Sequence, residues 1–119
     1  KKPDFPMGPT NIKKELFGTL TYLAGGKGEV NLDRKYTTIG KHPTSDIVVK
    51  GLFMGQTAIT ISKLPDGFHL CYVGGITKPK VNEKIIKKAI KLTDEDIIAI
   101  GSTKLQFMNG SQHAAERSL

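Results

Sequence analysis

The sequence predicts an all-β domain, a sandwich or barrel of short strands. Three observations carry that expectation. Short runs rich in β-branched and aromatic residues recur along the chain, glycine or proline turns close nearly every run, and apolar and polar residues alternate within several of them.

The elements follow in order. Residues 1–15 contain Pro3, Pro6, Gly8 and Pro9 and read as a linker or arm. The first run, residues 16–23 (LFGTLTYL), ends at Gly25-Gly26, and a short run covers 29–32. Residues 36–39 end at Gly40, and residues 47–49 end near Gly51. Residues 57–61 (TAITI) run towards Pro65-Asp66-Gly67, a strong turn signal. Residues 68–73 (FHLCYV) end at Gly74-Gly75. In that run Phe68, Leu70 and Tyr72 share one face, and His69, Cys71 and Val73 take the other. Residues 97–100 end at Gly101, and 103–108 follow, with Leu105 and Phe107 alternating with Lys104 and Gln106. The domain is thus expected over 16–109, with a polar, loose tail over 110–119.

Residues 82–92 (NEKIIKKAIKL) fit two templates. As a helix, Ile85, Ile86, Ala89 and Ile90 would line one face opposite Lys84, Lys87, Lys88 and Lys91. That helix would be basic and amphipathic, suited to a membrane surface or nucleic acid. As strands, it would be two short pieces with a turn near Lys87-Lys88. The all-β neighbours favour strands.

A length of 119 residues fits one domain. The net charge of +7, from 18 Lys plus Arg against 11 Asp plus Glu, favours acidic partners such as phosphopeptides, nucleic acid or anionic lipid. Plain solvation by scattered lysines accounts for the same number. Cys71 is the single cysteine, so no intrachain disulfide and no cysteine-based metal site can form, and a reducing, cytoplasmic setting is expected. His42, His69 and His113 show no ligand spacing, so neither metal nor cofactor is expected. No apolar run is long enough to span a bilayer, and no signal peptide is visible. The chain begins at Lys1, which suggests a piece of a longer, membrane-associated protein. Membrane contact is expected only through such outside parts. GGKGEV at residues 25–30 lacks P-loop spacing and no catalytic triad is evident, so an enzyme is not expected.

One stretch, YTTIGKHPTSDIVV at residues 36–49, sets the functional question. A lysine follows a strand-ending glycine, and a Ser-Asp pair follows the loop. Gly40-Lys41, Ser45-Asp46-Ile47, the strand around Ala58, Val81-Asn82 and LTDEDIIAIGSTKLQF at 92–107 come in an order and spacing that resembles the forkhead-associated (FHA) domain over residues 17–108. The resemblance implies an eleven-stranded β-sandwich that binds phosphothreonine peptides with the loops at one end, a recognition module without catalysis.

Carried over by this resemblance, the family's phosphate-contacting arginine falls on Lys41, which keeps the charge but loses the bidentate fork. Its phosphate-contacting serine falls on Met54, next to Gly55, and methionine has no hydrogen to donate. Its loop histidine falls on Thr57. The asparagine that holds the ligand backbone falls on Thr77, followed by Lys78 and Pro79 in place of Gly and Thr. Lys41, Met54, Gly55, Thr77 and Lys78 are therefore the expected partner-binding positions. Gly40, Ser45, Asp46 and Asn82 are expected to shape the loops. Thr93-Asp94-Glu95-Asp96 reads as the turn before the penultimate strand.

The expected function is a signalling adaptor module for a protein or peptide ligand, phosphorylated or not, with weak or absent phosphothreonine dependence. Two alternatives stand beside it. One is a phosphothreonine reader built on Lys41, Lys78 and Lys80. The other is an anionic-surface binder, of nucleic acid or lipid, through the lysines of residues 78–91. Nucleic acid is the less favoured partner.

Overall fold

The computed structural model describes residues 16–110. The proline-containing arm of residues 1–15 and the tail from residue 111 onwards lie outside the described residues. Eleven strands form two sheets, and no helix is present among the described residues. They are β1 (Gly18–Ala24), β2 (Glu29–Asn31), β3 (Tyr36–Gly40), β4 (Ile47–Val48), β5 (Ile59–Leu64), β6 (Gly67–Tyr72), β7 (Lys80–Val81), β8 (Lys84–Ile85), β9 (Ala89–Lys91), β10 (Ile97–Ile100) and β11 (Thr103–Asn109).

One sheet has the order β9-β6-β5-β3-β4, and the other β2-β1-β11-β10-β7-β8. Every pairing is antiparallel except β3 with β4. The alternation read in the sequence sets the burial. Phe68 and Leu70 point inward from β6, Ile98 and Ile100 from β10, and Leu105 and Phe107 from β11. Leu20, Ile39, Ile47, Ile59 and Ile61 complete the layer between the sheets. The Phe68 and Phe107 rings meet across it with centroids 5.4 Å apart and planes at 60°, a tilted arrangement that suits their quadrupoles.

Residues 82–92 resolve as strands, which removes the basic-helix alternative. Asn82 and Glu83 form the tight turn between β7 and β8, with φ of 51° and 73°. Two consecutive left-handed residues match a hairpin turn to the twist of its strands. The chain then bends at 87–88 and enters β9, which pairs with β6 (Ala89 opposite Cys71, Ile90 opposite Leu70). Ile86 is buried while Ile85 is exposed, as alternation requires. The lysines of 78–91 are therefore divided between the two sheets rather than gathered in one stripe.

Two polar nodes fix the loops that connect the sheets. Asp96, buried, accepts hydrogen bonds from Thr93 N at 2.8 Å, Thr93 Oγ1 at 2.9 Å and Asn82 Nδ2 at 2.9 Å. Asn82 Oδ1 in turn accepts from Ile97 N at 3.0 Å. The Asp96 carboxylate thereby links the turn before β10 to the β7–β8 hairpin, and burial is offset because its acceptors are satisfied. Asp46 forms the second node. It accepts from Thr38 N and Arg34 Nη1, each at 2.8 Å, while its own N–H donates to Thr38 Oγ1 at 3.0 Å.

Candidate functional site

Three loops meet at one end of the sandwich: residues 41–46 between β3 and β4, 49–58 between β4 and β5, and 73–79 between β6 and β7. Backbone hydrogen bonds stitch them together. Lys41 N donates to Gly55 O at 3.0 Å and His42 N to Gln56 O at 3.1 Å. Phe53 O accepts from both Ile76 N at 3.1 Å and Thr77 N at 3.0 Å, beside a bridge between Met54 and Gly75. The first loop is closed locally by Ser45 N donating to His42 O at 3.0 Å and by the Asp46 node.

Glycine makes this approach possible. A Cβ on Gly40 would lie 2.1 Å from Gln56 O, a backbone atom that cannot swing aside. At the second seam, a Cβ on Gly55 would lie 2.5 Å from Gly74 O, and one on Gly75 would lie 2.4 Å from Gly55 N. Gly55, expected at the binding surface, thus has a clear part in bringing two loops together.

The expected binding residues divide. Lys41 and Lys78 are exposed and Thr77 is half-buried, all at the loop end. Lys78 Nζ sits 5.6 Å from the centre of the Tyr72 ring, and the Tyr72 hydroxyl donates to Gly75 O, which pins the third loop to β6. Met54 requires a correction. Its side chain is 6% exposed and belongs to the core. A Cβ added to Gly101 would lie 2.9 Å from Met54 Cε, so the thioether fills the space that this glycine leaves. It was expected at the binding surface because the family's phosphate-contacting serine falls on this position; instead it turns inward and supports the loop from below.

The surface presents what the inward turn of Met54 leaves outside. Leu52 is 84% exposed, Ile76 72% and Phe53 57%. Phe53 and Ile76 are held side by side by the backbone bonds between their loops. Leu52 and Ile76 carry no motif in the sequence. Their signal was available, since both are large apolar residues in loops closed by glycine. Arg34 is the one arginine among the described residues, and it faces Asp46, with Nη1 and Oδ1 2.8 Å apart. The loop end therefore offers lysine point charges and apolar side chains, and the nearby Arg34 guanidinium pairs with Asp46 through Nη1 while its side chain stays exposed. Among the described residues no His, Cys, Asp and Glu cluster could hold a metal ion.

Known proteins fit this description of the fold. No family model matches the chain. An oxoglutarate dehydrogenase inhibitor of Corynebacterium jeikeium (strain K411) is 31% identical over 83 residues. That match takes in 70% of this chain and 57% of the relative, so the chain spans little more than half of the relative's length. Mycobacterium tuberculosis EmbR, solved in complex with a low-affinity phosphopeptide, superposes with a TM-score of 0.72 at 19% identity. The match covers 79% of this chain and 24% of EmbR. The FHA domain of the CT664 protein of Chlamydia trachomatis superposes with a TM-score of 0.69 at 22% identity, over 77% of this chain and 96% of that domain. The fold of this chain is that of forkhead-associated domains.

Proposed function

We propose that this domain of the forkhead-associated fold is a protein-interaction module that engages a protein or peptide ligand through its loop end, with weak or absent phosphothreonine dependence. The observation that carries the reading is the surface chemistry of that end. Leu52, Phe53 and Ile76 stand exposed on the loops of the end that also carries Lys41 and Lys78, while Met54 is withdrawn into the core. Apolar side chains held on a backbone-stitched platform favour a partner's apolar groups, since burying them removes their surface from water at roughly 25 cal/mol per Å². Phosphate recognition draws on charge-assisted hydrogen bonds of about 1.5–3 kcal/mol each. Lys41 can supply a charge without the planar fork, and Thr77 a short hydroxyl whose backbone is already engaged with Phe53. A regulatory binding role, without catalysis, agrees with the name of the Corynebacterium relative.

A phosphopeptide array with unphosphorylated copies of every peptide tests the proposal. Removing phosphate is expected to change binding less than about tenfold, and Phe53→Ala or Ile76→Ala to weaken it more than Lys41→Ala does. Micromolar, phosphate-dependent binding abolished by Lys41→Ala would establish the lysine-based phosphothreonine reader instead.

A further inference from the structure

The outer face of the six-stranded sheet carries a second feature, a groove of about 1080 Å³ that opens at Thr77 and Lys78 and continues along β10. Its geometry follows from strand pairing. Lys80 of β7 lies opposite Ala99 of β10, and Ala99 lies opposite Lys104 of β11. Ile98 and Ile100 point into the core, so Ala99 and Ile97 form the outward floor. With neighbouring strands about 4.8 Å apart, the two lysines flank the alanine methyl from backbones roughly 10 Å apart. A small residue between two four-carbon stems makes a trough, with exposed Leu23 extending its apolar lining. Lys80 and Lys104 have no ion-pair partner among the described residues, and Glu83 is the one carboxylate in the lining.

We propose that this groove binds an extended acidic peptide segment of a protein partner, with carboxylates on Lys80 and Lys104 and alternate side chains on the Ala99 and Ile97 floor. Charge complementarity selects the sign of the ligand. The shape selects its class. The groove is concave, so its lysines do not lie in a plane that a bilayer could meet, and no aromatic ring lines it to stack a nucleic-acid base. An extended peptide instead points every second side chain at the floor, and the intervening carboxylates, lifted to the rim, meet the ammonium ends of the lysine walls. The proposal goes beyond the loop-end reading: the groove meets that end at Thr77 and Lys78, but Lys80, Ala99 and Lys104, which carry the proposed contacts, belong to strands outside the three loops.

The probe is a synthetic decapeptide of alternating glutamate and valine, with a lysine–valine copy as control, titrated into the full chain. Backbone NMR shifts are expected at Ile97, Ala99 and Lys104, for the acidic peptide alone and weakening with salt. The Lys80→Glu/Lys104→Glu double variant is expected to lose about tenfold in affinity, because two exposed charge pairs are lost and like-charge repulsion takes their place. Ala99→Phe, which fills the floor, is expected to block binding while both lysines remain. If Ala99→Phe fails to fold, Ala99→Met fills the same floor with a more adaptable side chain. Shifts confined to Lys41, Phe53 and Ile76 would overturn the groove proposal while leaving the loop-end reading intact. Unchanged affinity in the double variant would also overturn it. So would binding of phosphatidylserine vesicles or single-stranded DNA through Lys80 and Lys104 with no response to the acidic peptide.

Discussion

Replacing Met54 with alanine tests the assignment of that residue to the core. The side chain is 6% exposed, packs into the space left by Gly101, and sits beneath two loops locked by the Met54–Gly75 bridge and the bonds to Phe53 O. Truncating a buried methionine costs about 2–5 kcal/mol, more where the surroundings cannot collapse into the cavity. The stitched loops resist collapse on one side, but the site lies near the surface, so a cost of about 3 kcal/mol is expected. For a domain of this size that corresponds to a fall in Tm of roughly 10–20 °C. Met54→Leu, which nearly conserves volume, is expected to cost less than about 1.5 kcal/mol. Urea unfolding of both variants beside the parent supplies the numbers, with a lower midpoint and an unchanged m-value expected for the alanine variant. A shift below about 1 kcal/mol for Met54→Ala would refute the reasoning, since exposed positions away from such packing change stability by only about 0.5 kcal/mol. Met54→Ser, which the FHA resemblance would suggest as a repair of the phosphate site, is expected to destabilise at least as much as alanine.

Other consequences can be checked separately. Asp96→Ala leaves three donors, Thr93 N, Thr93 Oγ1 and Asn82 Nδ2, without their acceptor, and is expected to cost about 2–4 kcal/mol by urea unfolding, whereas Asn82→Ala should cost less. Gly40→Ala drives a Cβ against Gln56 O and is expected to open the seam between the first two loops, read as faster amide hydrogen exchange at Lys41 and His42. The hydrogen bond with His69, 2.9 Å away, holds the Asp66 carboxyl below the usual carboxylate range, with the charges of His69 and Lys91 acting in the same direction. A carboxylate with a lowered folded pKa stabilises the fold above its unfolded pKa and ceases to do so as pH falls through the folded value. Asp66→Asn is therefore expected to flatten the acid limb of a Tm–pH profile slightly and leave the neutral region nearly unchanged, because the group is exposed and solvent screens it. Lys41→Arg with Thr77→Asn, leaving Met54 in place, is expected to raise affinity for a phosphothreonine peptide in titration calorimetry.

Most strands were legible because alternation and turn chemistry agree along them. β6 and β11 alternate inward and outward as written, and Phe68 and Phe107 meet across the core. Residues 82–92 were ambiguous because Ile85, Ile86, Ala89 and Ile90 satisfy both periods over so short a span. Pairing of Ala89 with Cys71 decides the matter, and such a partner in a distant strand is invisible in the local pattern. The Asn82-Glu83 turn was hidden for another reason: glutamate rarely adopts positive φ, so it gives no turn signal. Met54 was misplaced because the family resemblance sets it on a serine that faces the ligand. Its inward turn depends on Gly101, which lies far from it in sequence. Leu23, Ala99, Lys80 and Lys104 share no motif and come together only through strand order.

The residues that carry the family resemblance and those that would touch a ligand are physically different sets. Gly40 works by lacking a Cβ, while Asp46, Asn82 and Asp96 work by satisfying backbone and side-chain donors inside turns. None of these roles requires anything of a bound peptide. The three loops are joined mainly through backbone atoms, so changing an outward side chain leaves the platform in place. Exchanging the outward side chains at Lys41 and Thr77 is then expected to change the surface with little folding cost. Met54 marks the limit of that freedom, because a large inward side chain has become part of the platform. A reversion confined to Lys41 and Thr77 changes the surface alone, whereas one that includes Met54 also removes its support. Comparing those two variants in the same unfolding and binding experiments therefore separates loss of ligand contacts from loss of the scaffold that presents them.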